Sequence, residues 1–238
     1  MQFAIDLPPF GPFSDPNLVA QMAQEAEEAG WHGFFLWDHM NYRTQGPPEP
    51  LAIADPWIML AAMALRTTSI KLGPMVTPLP RRRPWKLAHE TATLDRLSGG
   101  RLILGVGLGS DDDGEYSDFG EPADARVHGA MLDEGLAILT RLWSGEEVSF
   151  QGQHYQLSPV RFLPTPVQRP RIPILDSGHL APQEAISPCG PVRWGVSAEE
   201  RSHPHTRGPA RGPGLYPDPA HANHAVRGTG LWTGQWER

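Results

Sequence analysis

The chain has 238 residues and a formal net charge of -7. This length allows a single domain with a full-sized core. An acidic chain lacks the surplus of Lys and Arg that a nucleic-acid groove or an anionic membrane surface requires, so we expect a small-molecule substrate and neither of those partners. No apolar run reaches the roughly 18 residues of a membrane span, and no signal-peptide pattern opens the sequence, which predicts a cytoplasmic protein.

Strand and helix patterns alternate along most of the chain. Apolar strands are predicted at residues 2–6, 33–37, 70–76, 102–106 and 171–175. The first two helices begin at Asp15-Pro16 and Asp55-Pro56, where Asp caps the helix and Pro occupies its first position. Short connections between strand and helix imply parallel strands with right-handed crossovers. This periodicity leaves a doubly wound sheet and a (β/α)8 barrel both open.

The spacing of apolar residues predicts which helix faces pack on the sheet. The residues that share a face are Leu18, Met22, Ala26 and Ala29 in the first helix, Ile58, Ala62 and Leu65 in the second, Leu87, Thr91, Leu94 and Leu97 in the third, and Leu132, Leu136, Leu139 and Leu142 in the fourth. The fourth helix is predicted over residues 126–143. After it, residues 146–157 alternate polar and apolar around Gln-Gly, which predicts a β-hairpin.

The pattern ends near residue 175. Residues 176–238 contain 8 Pro, 9 Gly, 5 His and 6 Arg but only 7 large aliphatic residues and no Phe. That composition is too poor in apolar residues to supply buried strands. We therefore predict one folded domain at residues 1–175, with about five recognisable strands, followed by a mostly irregular tail at residues 176–238.

Several motifs occur in a recognisable order. They are the run from Gly30 to His39, the stretch from Gly73 to Pro84, the run from Thr93 to Leu102, and the glycines at 105, 107 and 109 before the predicted hairpin. Together they resemble the bacterial luciferase-like monooxygenases, a family of flavin-dependent oxidoreductases that includes enzymes using the deazaflavin coenzyme F420. The resemblance covers residues 1–175.

This resemblance implies a (β/α)8 TIM-type barrel, here incomplete, in which reduced FMN or, alternatively, coenzyme F420 lies across the carboxyl ends of the strands. It also implies a homodimer and an oxidoreductase or monooxygenase acting on a small organic substrate. The sugar-phosphate dehydrogenases of the family carry a carboxylate where this chain has Ser110, which argues against that substrate. The alternative is a non-catalytic barrel remnant that binds flavin weakly or not at all. An unclosed barrel would leave the first and fifth strands with unpaired edges.

Candidate site residues follow the strand ends, which meet at one mouth of a barrel. Asp38 and His39 follow the second strand, and the resemblance implies that they lie beside the cofactor ring as catalytic and cofactor-binding residues. An imidazole can move a proton near neutral pH. The other cofactor-binding residues implied by the resemblance and by position are Pro74, Met75, Thr77, Gly107, Leu108 and Gly109.

Two charged clusters have open interpretations. Asp111, Asp112, Asp113 and Glu115 miss the spacing of a calcium loop, so we expect a solvated acidic loop and no metal site. Residues 81–83 are three arginines just before a helix, where they would either steer an anionic cofactor or form a solvated turn.

Overall fold

Parallel strands and helices alternate along the chain, as the sequence predicts. In this computed structural model the described residues are 2–43 and 51–176, together with the backbone of residues 230–234. The helices are α1 Pro16–Glu28, α2 Pro56–Arg66, α3 Pro84–Leu97 and α4 Ala125–Leu142. The strands are β1 Gln2–Leu7, β2 Gly33–Leu36, β3 Lys71–Pro74, β4 Thr77–Pro78, β5 Leu104–Gly107, β6 Glu147–Gln151, β7 Gln156–Arg161, β8 Ile174–Asp176 and β9 Gly230–Gly234.

Neighbouring strands of the parallel sheets follow the order of the chain. β1 pairs with β2 and β2 with β3, with Ile5 opposite Phe34 and Phe34 opposite Leu72. β4 pairs with β5 and β5 with β8, also in parallel. A single bridge from Leu72 to Leu102 joins the two groups. The fold is therefore α/β with parallel sheets, and among the strands named above the antiparallel pairs are the predicted hairpin β6–β7 and the pair β1–β9.

The third predicted strand is divided in two. β3 ends at Pro74 and pairs with β2, whereas β4 begins at Thr77 and pairs with β5. The peptide bond between Met75 and Val76 is cis, and the Met75 amide donates to the Leu36 carbonyl at 2.8 Å. The break lies among Pro74, Met75 and Thr77, which the resemblance implies as cofactor-binding residues.

The two faces of the parallel sheets carry different residues, because side chains alternate along each strand. The face toward the helices carries the main core, which includes Phe34, Leu72 and Leu104. The opposite face carries a smaller cluster formed by Ala4, Phe35, Ile103 and Leu175, with Met75 packed against it. Apolar residues therefore pack on both faces of the parallel sheets.

The buried helix faces agree with the prediction for α4, agree in large part for α3, and differ for α1 and α2. In α1 the buried residues are Val19, Ala20, Ala23 and Ala26, while Leu18 is 38% exposed. In α2 the predicted face is wrong, since Ile58 and Leu65 are 67% and 74% exposed. The buried face of α2 instead carries Trp57, Met59, Leu60, Met63 and Ala64. Almost every residue of α2 is apolar, so its periodicity does not single out one face.

The free edge predicted for the first strand is wrong. β1 pairs in antiparallel orientation with β9, with Ala4 opposite Trp232. This strand falls within the predicted tail, where no strand was expected. Residues 177–229 and 235–238 lie outside the described residues, and so does the rest of that prediction. None of the described helices is long and apolar enough to cross a membrane.

Candidate active site

Polar side chains converge at the carboxyl ends of β2, β4 and β5. Asp38 and His39 directly follow β2, and Thr77 begins β4. Arg81 and Arg82 lie in and just after the short 3₁₀ helix Leu79–Arg81, and Glu115 lies in the loop after β5. Parallel strands end on the same side, so residues separated by more than 70 positions in the chain become neighbours here.

Asp38 is a buried carboxylate surrounded by donors. Its exposed fraction is 2%. The Thr77 hydroxyl donates to Oδ2, and so does Arg82 Nε at 3.0 Å, while Arg82 Nη2 donates to Oδ1 at 2.7 Å. Arg81 Nη2 adds a bond of 3.1 Å to Oδ1. Both carboxylate oxygens are thus occupied by protein donors, which anchors the end of β2 to the turn after β4.

Glu115 is the second buried carboxylate of the site and is 3% exposed. Its Oε1 accepts from the backbone amides of Met40 at 2.6 Å and Asn41 at 2.9 Å. Its Oε2 accepts from Arg81 Nη1. Burial raises the pKa of Glu115, but His39, the Asn41 amide and the Arg81 charge together lower it to about 2. Glu115 is therefore ionised at neutral pH.

Arg81 bridges the two carboxylates. It donates to Asp38 through Nη2 and to Glu115 through Nη1, and its side chain is 3% exposed. Arg82 adds a second positive charge on Asp38, so two guanidinium groups balance two carboxylates. Such a network satisfies the desolvated charges, whereas removing one member would leave its partners unpaired. We call the side chains of Asp38, Arg81, Arg82 and Glu115 the buried ion network.

His39 lies beside this network and is partly open to solvent. Its side chain is 28% exposed, and Nδ1 lies 3.5 Å from Glu115 Oε1. Within the described part of the chain, Nδ1 is buried and has no well-formed hydrogen bond. The rings of Phe10, Trp37 and Tyr42 surround the imidazole, each with its centroid 5.7 Å away. The site therefore presents an imidazole, surrounded by aromatic rings, at the strand ends.

The glycines at 105, 107 and 109 lie within and just after β5, and two of them have local explanations. Gly109 has φ +71, and a Cβ there would lie 2.8 Å from Tyr116 Oη and 2.9 Å from Pro78 Cβ. A Cβ on Gly105 would overlap the Pro74 carbonyl oxygen. Backbone conformation and close packing therefore require these two glycines. Gly107 is buried opposite Pro78 in the β4–β5 register and remains the candidate for contact with a ligand.

The other predicted cofactor-binding residues lie around the break between β3 and β4. Pro74 and Thr77 are buried, and Met75 is partly buried against the inward cluster. Leu108 is also partly buried, and its carbonyl accepts from Tyr116 Oη at 2.7 Å. Thr77 contacts Asp38 directly, so the structure brings these two predicted residues together. Their roles in cofactor binding stay predictions.

The interpretation of the charged clusters changes. Glu115 belongs to the buried ion network, whereas Asp111 accepts from the Tyr116 and Ser117 amides and so shapes the loop. No group of three or more metal-ligating side chains comes together among residues 2–43 and 51–176. Arg81 does not lie in a solvated turn, since its side chain is 3% exposed and paired with Asp38 and Glu115. Nothing in the local spacing distinguishes Glu115 from the aspartates before it. Its contacts with Arg81 and with residues 39–41 do so.

Comparison with known proteins shows similarity to one enzyme family. The luciferase-like monooxygenase model matches residues 7–183. An F420-dependent glucose-6-phosphate dehydrogenase of Nakamurella multipartita is 33% identical over 168 residues, covering 70% of this chain and 48% of that protein. An F420-dependent hydroxymycolic acid dehydrogenase of Mycobacterium tuberculosis is 32% identical over 176 residues, covering 73% and 46%.

Solved structures agree. The crystal structure of monooxygenase RslO1 from Streptomyces bottropensis superimposes with a TM-score of 0.63 at 32% identity, covering 74% of this chain and 53% of that one. The coenzyme F420-dependent tetrahydromethanopterin reductase of Methanopyrus kandleri superimposes with a TM-score of 0.60 at 26% identity, covering 74% of this chain and 49% of that one. The chain spans about half the length of the curated relatives it matches. The family model covers well over half of the chain, which therefore belongs to the luciferase-like monooxygenase family.

Proposed function

We propose that the protein is an oxidoreductase that binds a deazaflavin or flavin ring at the carboxyl ends of its strands and acts on a small organic molecule. One observation carries this proposal: the buried ion network anchors the end of β2 and leaves His39 partly exposed at the mouth. Membership of the family supports the reaction class.

Coenzyme F420 is the favoured cofactor, and FMN is the alternative. The sequence alone placed FMN first. Two relatives more than 30% identical are named as F420-dependent dehydrogenases, and a solved neighbour at 26% identity is named as an F420-dependent reductase. The monooxygenase RslO1, at 32% identity, supports oxygenation as the second reaction class.

The residues at the mouth fit such a ring. Nε1 of Trp57, whose ring lies under the guanidinium of Arg82, is a buried polar atom that lacks a hydrogen-bond partner among the described residues. Gly107 provides a strand end without a side chain. When bound, a deazaflavin supplies hydride transfer. His39 would hold or accept a proton there, Met75 and Gly107 would flank the ring, and the buried ion network would keep water from the end of β2.

We also propose that the described parallel strands form part of a (β/α)8 barrel and that the protein assembles as a homodimer. Strand order supports the first statement, because neighbours follow the chain order as they do in a barrel. A second candidate function is a barrel remnant without turnover.

Cofactor binding separates these two candidates. The full chain is purified, any bound cofactor is extracted for mass analysis, and the cofactor-free protein is titrated with F420 and with FMN while cofactor fluorescence is followed. Saturable binding of F420, and weaker binding of FMN, is the expected result. If neither F420 nor FMN binds, the result supports the second candidate, a barrel remnant without turnover. Light scattering of the same sample gives the oligomeric state.

A further inference from the structure

The loop after β5 reaches back over the end of β2 through one oxygen atom. Glu115 Oε1 accepts from the Met40 amide at 2.6 Å and the Asn41 amide at 2.9 Å. The same oxygen lies 3.5 Å from Nδ1 of His39. The three consecutive residues 39–41 therefore each direct a nitrogen toward Oε1 of Glu115, while Arg81 donates to Oε2.

The charge of Glu115 decides what Nδ1 must carry. An ionised carboxylate only accepts hydrogen bonds. A nitrogen lone pair facing it would be repelled, whereas an N–H would be attracted. Neutral imidazole carries one proton, so a proton on Nδ1 leaves the lone pair on Nε2. Trp37, whose ring packs near His39, already donates through Nε1 to Asp6 at 2.9 Å and does not compete for Nδ1.

We infer that Glu115 is a positioning residue that selects the tautomer of His39 with its proton on Nδ1 and fixes the ring, so that Nε2 is the acceptor. The role of Nε2 as an acceptor during turnover rests on the proposed function. The assignment of the tautomer does not depend on that function. The amide bonds to Met40 and Asn41 fix the backbone that carries the ring, so Glu115 sets the direction of the imidazole as well as its tautomer.

Nitrogen NMR of the full chain tests this inference, because the two tautomers of neutral histidine differ in their nitrogen shifts. The sequence has 10 histidines, and the signal of His39 is identified by its loss in His39→Gln. We expect the wild type at slightly alkaline pH to show the proton on Nδ1. In Glu115→Gln, the side-chain amide can still accept from Met40 and Asn41 but lacks the charge, so the preference for Nδ1 should be lost.

Glu134→Gln is the matched control. Like Glu115, Glu134 accepts from consecutive backbone amides, here the three of Gln153, His154 and Tyr155, but it fixes the β6–β7 hairpin. Its replacement should leave the His39 signals unchanged. A wild-type spectrum with the proton on Nε2 would overturn the inference, and so would an unchanged tautomer in Glu115→Gln. If Glu115→Gln does not fold, the wild-type spectrum alone decides.

Steady-state kinetics of the enzyme with its cofactor bound give a second measurement. Glu115→Gln should lower kcat about 10-fold or more and change KM and cofactor affinity little, because it acts through His39. A wild type that shows the expected tautomer but binds neither F420 nor FMN would contradict the proposed function and leave the positioning role standing.

Discussion

Arg82 Nη2 lies 2.7 Å from Oδ1 and 2.5 Å from Oδ2 of Asp38, so one nitrogen contacts both oxygens of a carboxylate whose side chain is 1% exposed. The guanidinium also lies over the ring of Trp57, 5.6 Å from its centroid. This contact joins the end of β2, the turn after β4 and the first turn of α2. Asp38 thus acts as a structural counter-ion to Arg81 and Arg82 in the fold, and this role does not depend on a cofactor.

Removing that counter-ion should destabilise the protein strongly. Asp38→Ala would leave Arg81 and Arg82 without their shared carboxylate, and breaking a buried pair in this way costs about 3–5 kcal/mol. Urea unfolding measures the loss. Asp118→Ala is the control, because it breaks the exposed pair with Arg43, and its unfolding midpoint should stay near that of the wild type. Equal midpoints for the two variants would contradict the buried network.

Stability should fall in acid partly because of Glu115. Its pKa is about 2 in the folded protein against an ordinary value of 4.5, so folding favours the ionised form. The contribution is complete above about pH 5 and is lost as the pH falls from about 4.5 toward 2; by linkage it amounts to about 3 kcal/mol. Urea unfolding at pH 6 and pH 3 should show the gap between wild type and Glu115→Gln shrinking in acid. A gap that does not change with pH would refute this assignment.

Two leucines of α2 should respond in opposite ways to the same substitution. Leu60 is 0% exposed and Leu65 is 74% exposed. Leu60→Ala should cost about 2–5 kcal/mol through lost burial and a cavity, whereas Leu65→Ala should change the free energy of unfolding by no more than about 0.5 kcal/mol. Thermal or urea unfolding of the two variants makes the comparison. A larger loss for Leu65→Ala would restore the helix face predicted from the sequence.

Features that depend on a few neighbouring residues could be predicted from the sequence. Asp15 caps α1 by accepting from the Asn17 amide, and Asp55 caps α2 by accepting from the Ile58 amide, as the Asp-Pro signals indicate. Glu115 could not be found in this way, because its partner Met40 is 75 residues away. Its role appears only once parallel strands bring their carboxyl ends together.

The pairing of β9 with β1 leads to a prediction about association. A chain ending at residue 229 would expose the backbone donors and acceptors of β1 that now pair with residues 230–234. Unpaired edges promote pairing with other chains, so light scattering should show larger species for this truncated chain. A chain ending at residue 234 keeps β9 and should behave like the full chain. Identical scattering from both truncated chains would mean that β9 does not protect this edge.

The strand ends of β2 and β5 should contribute to cofactor binding in different ways. Gly107→Val would place a branched side chain at the mouth and should abolish binding of F420, whereas His39→Ala leaves the space but removes the titratable ring. We therefore expect His39→Ala to lower turnover more than affinity. Gly129→Ala is the control, because a Cβ at this position in α4 meets no atom within 4 Å, and it should bind as the wild type does. Fluorescence titration with F420 and with FMN measures affinity, and circular dichroism confirms that each variant is folded. Unchanged affinity in folded Gly107→Val, together with unchanged turnover in His39→Ala, would place the cofactor elsewhere.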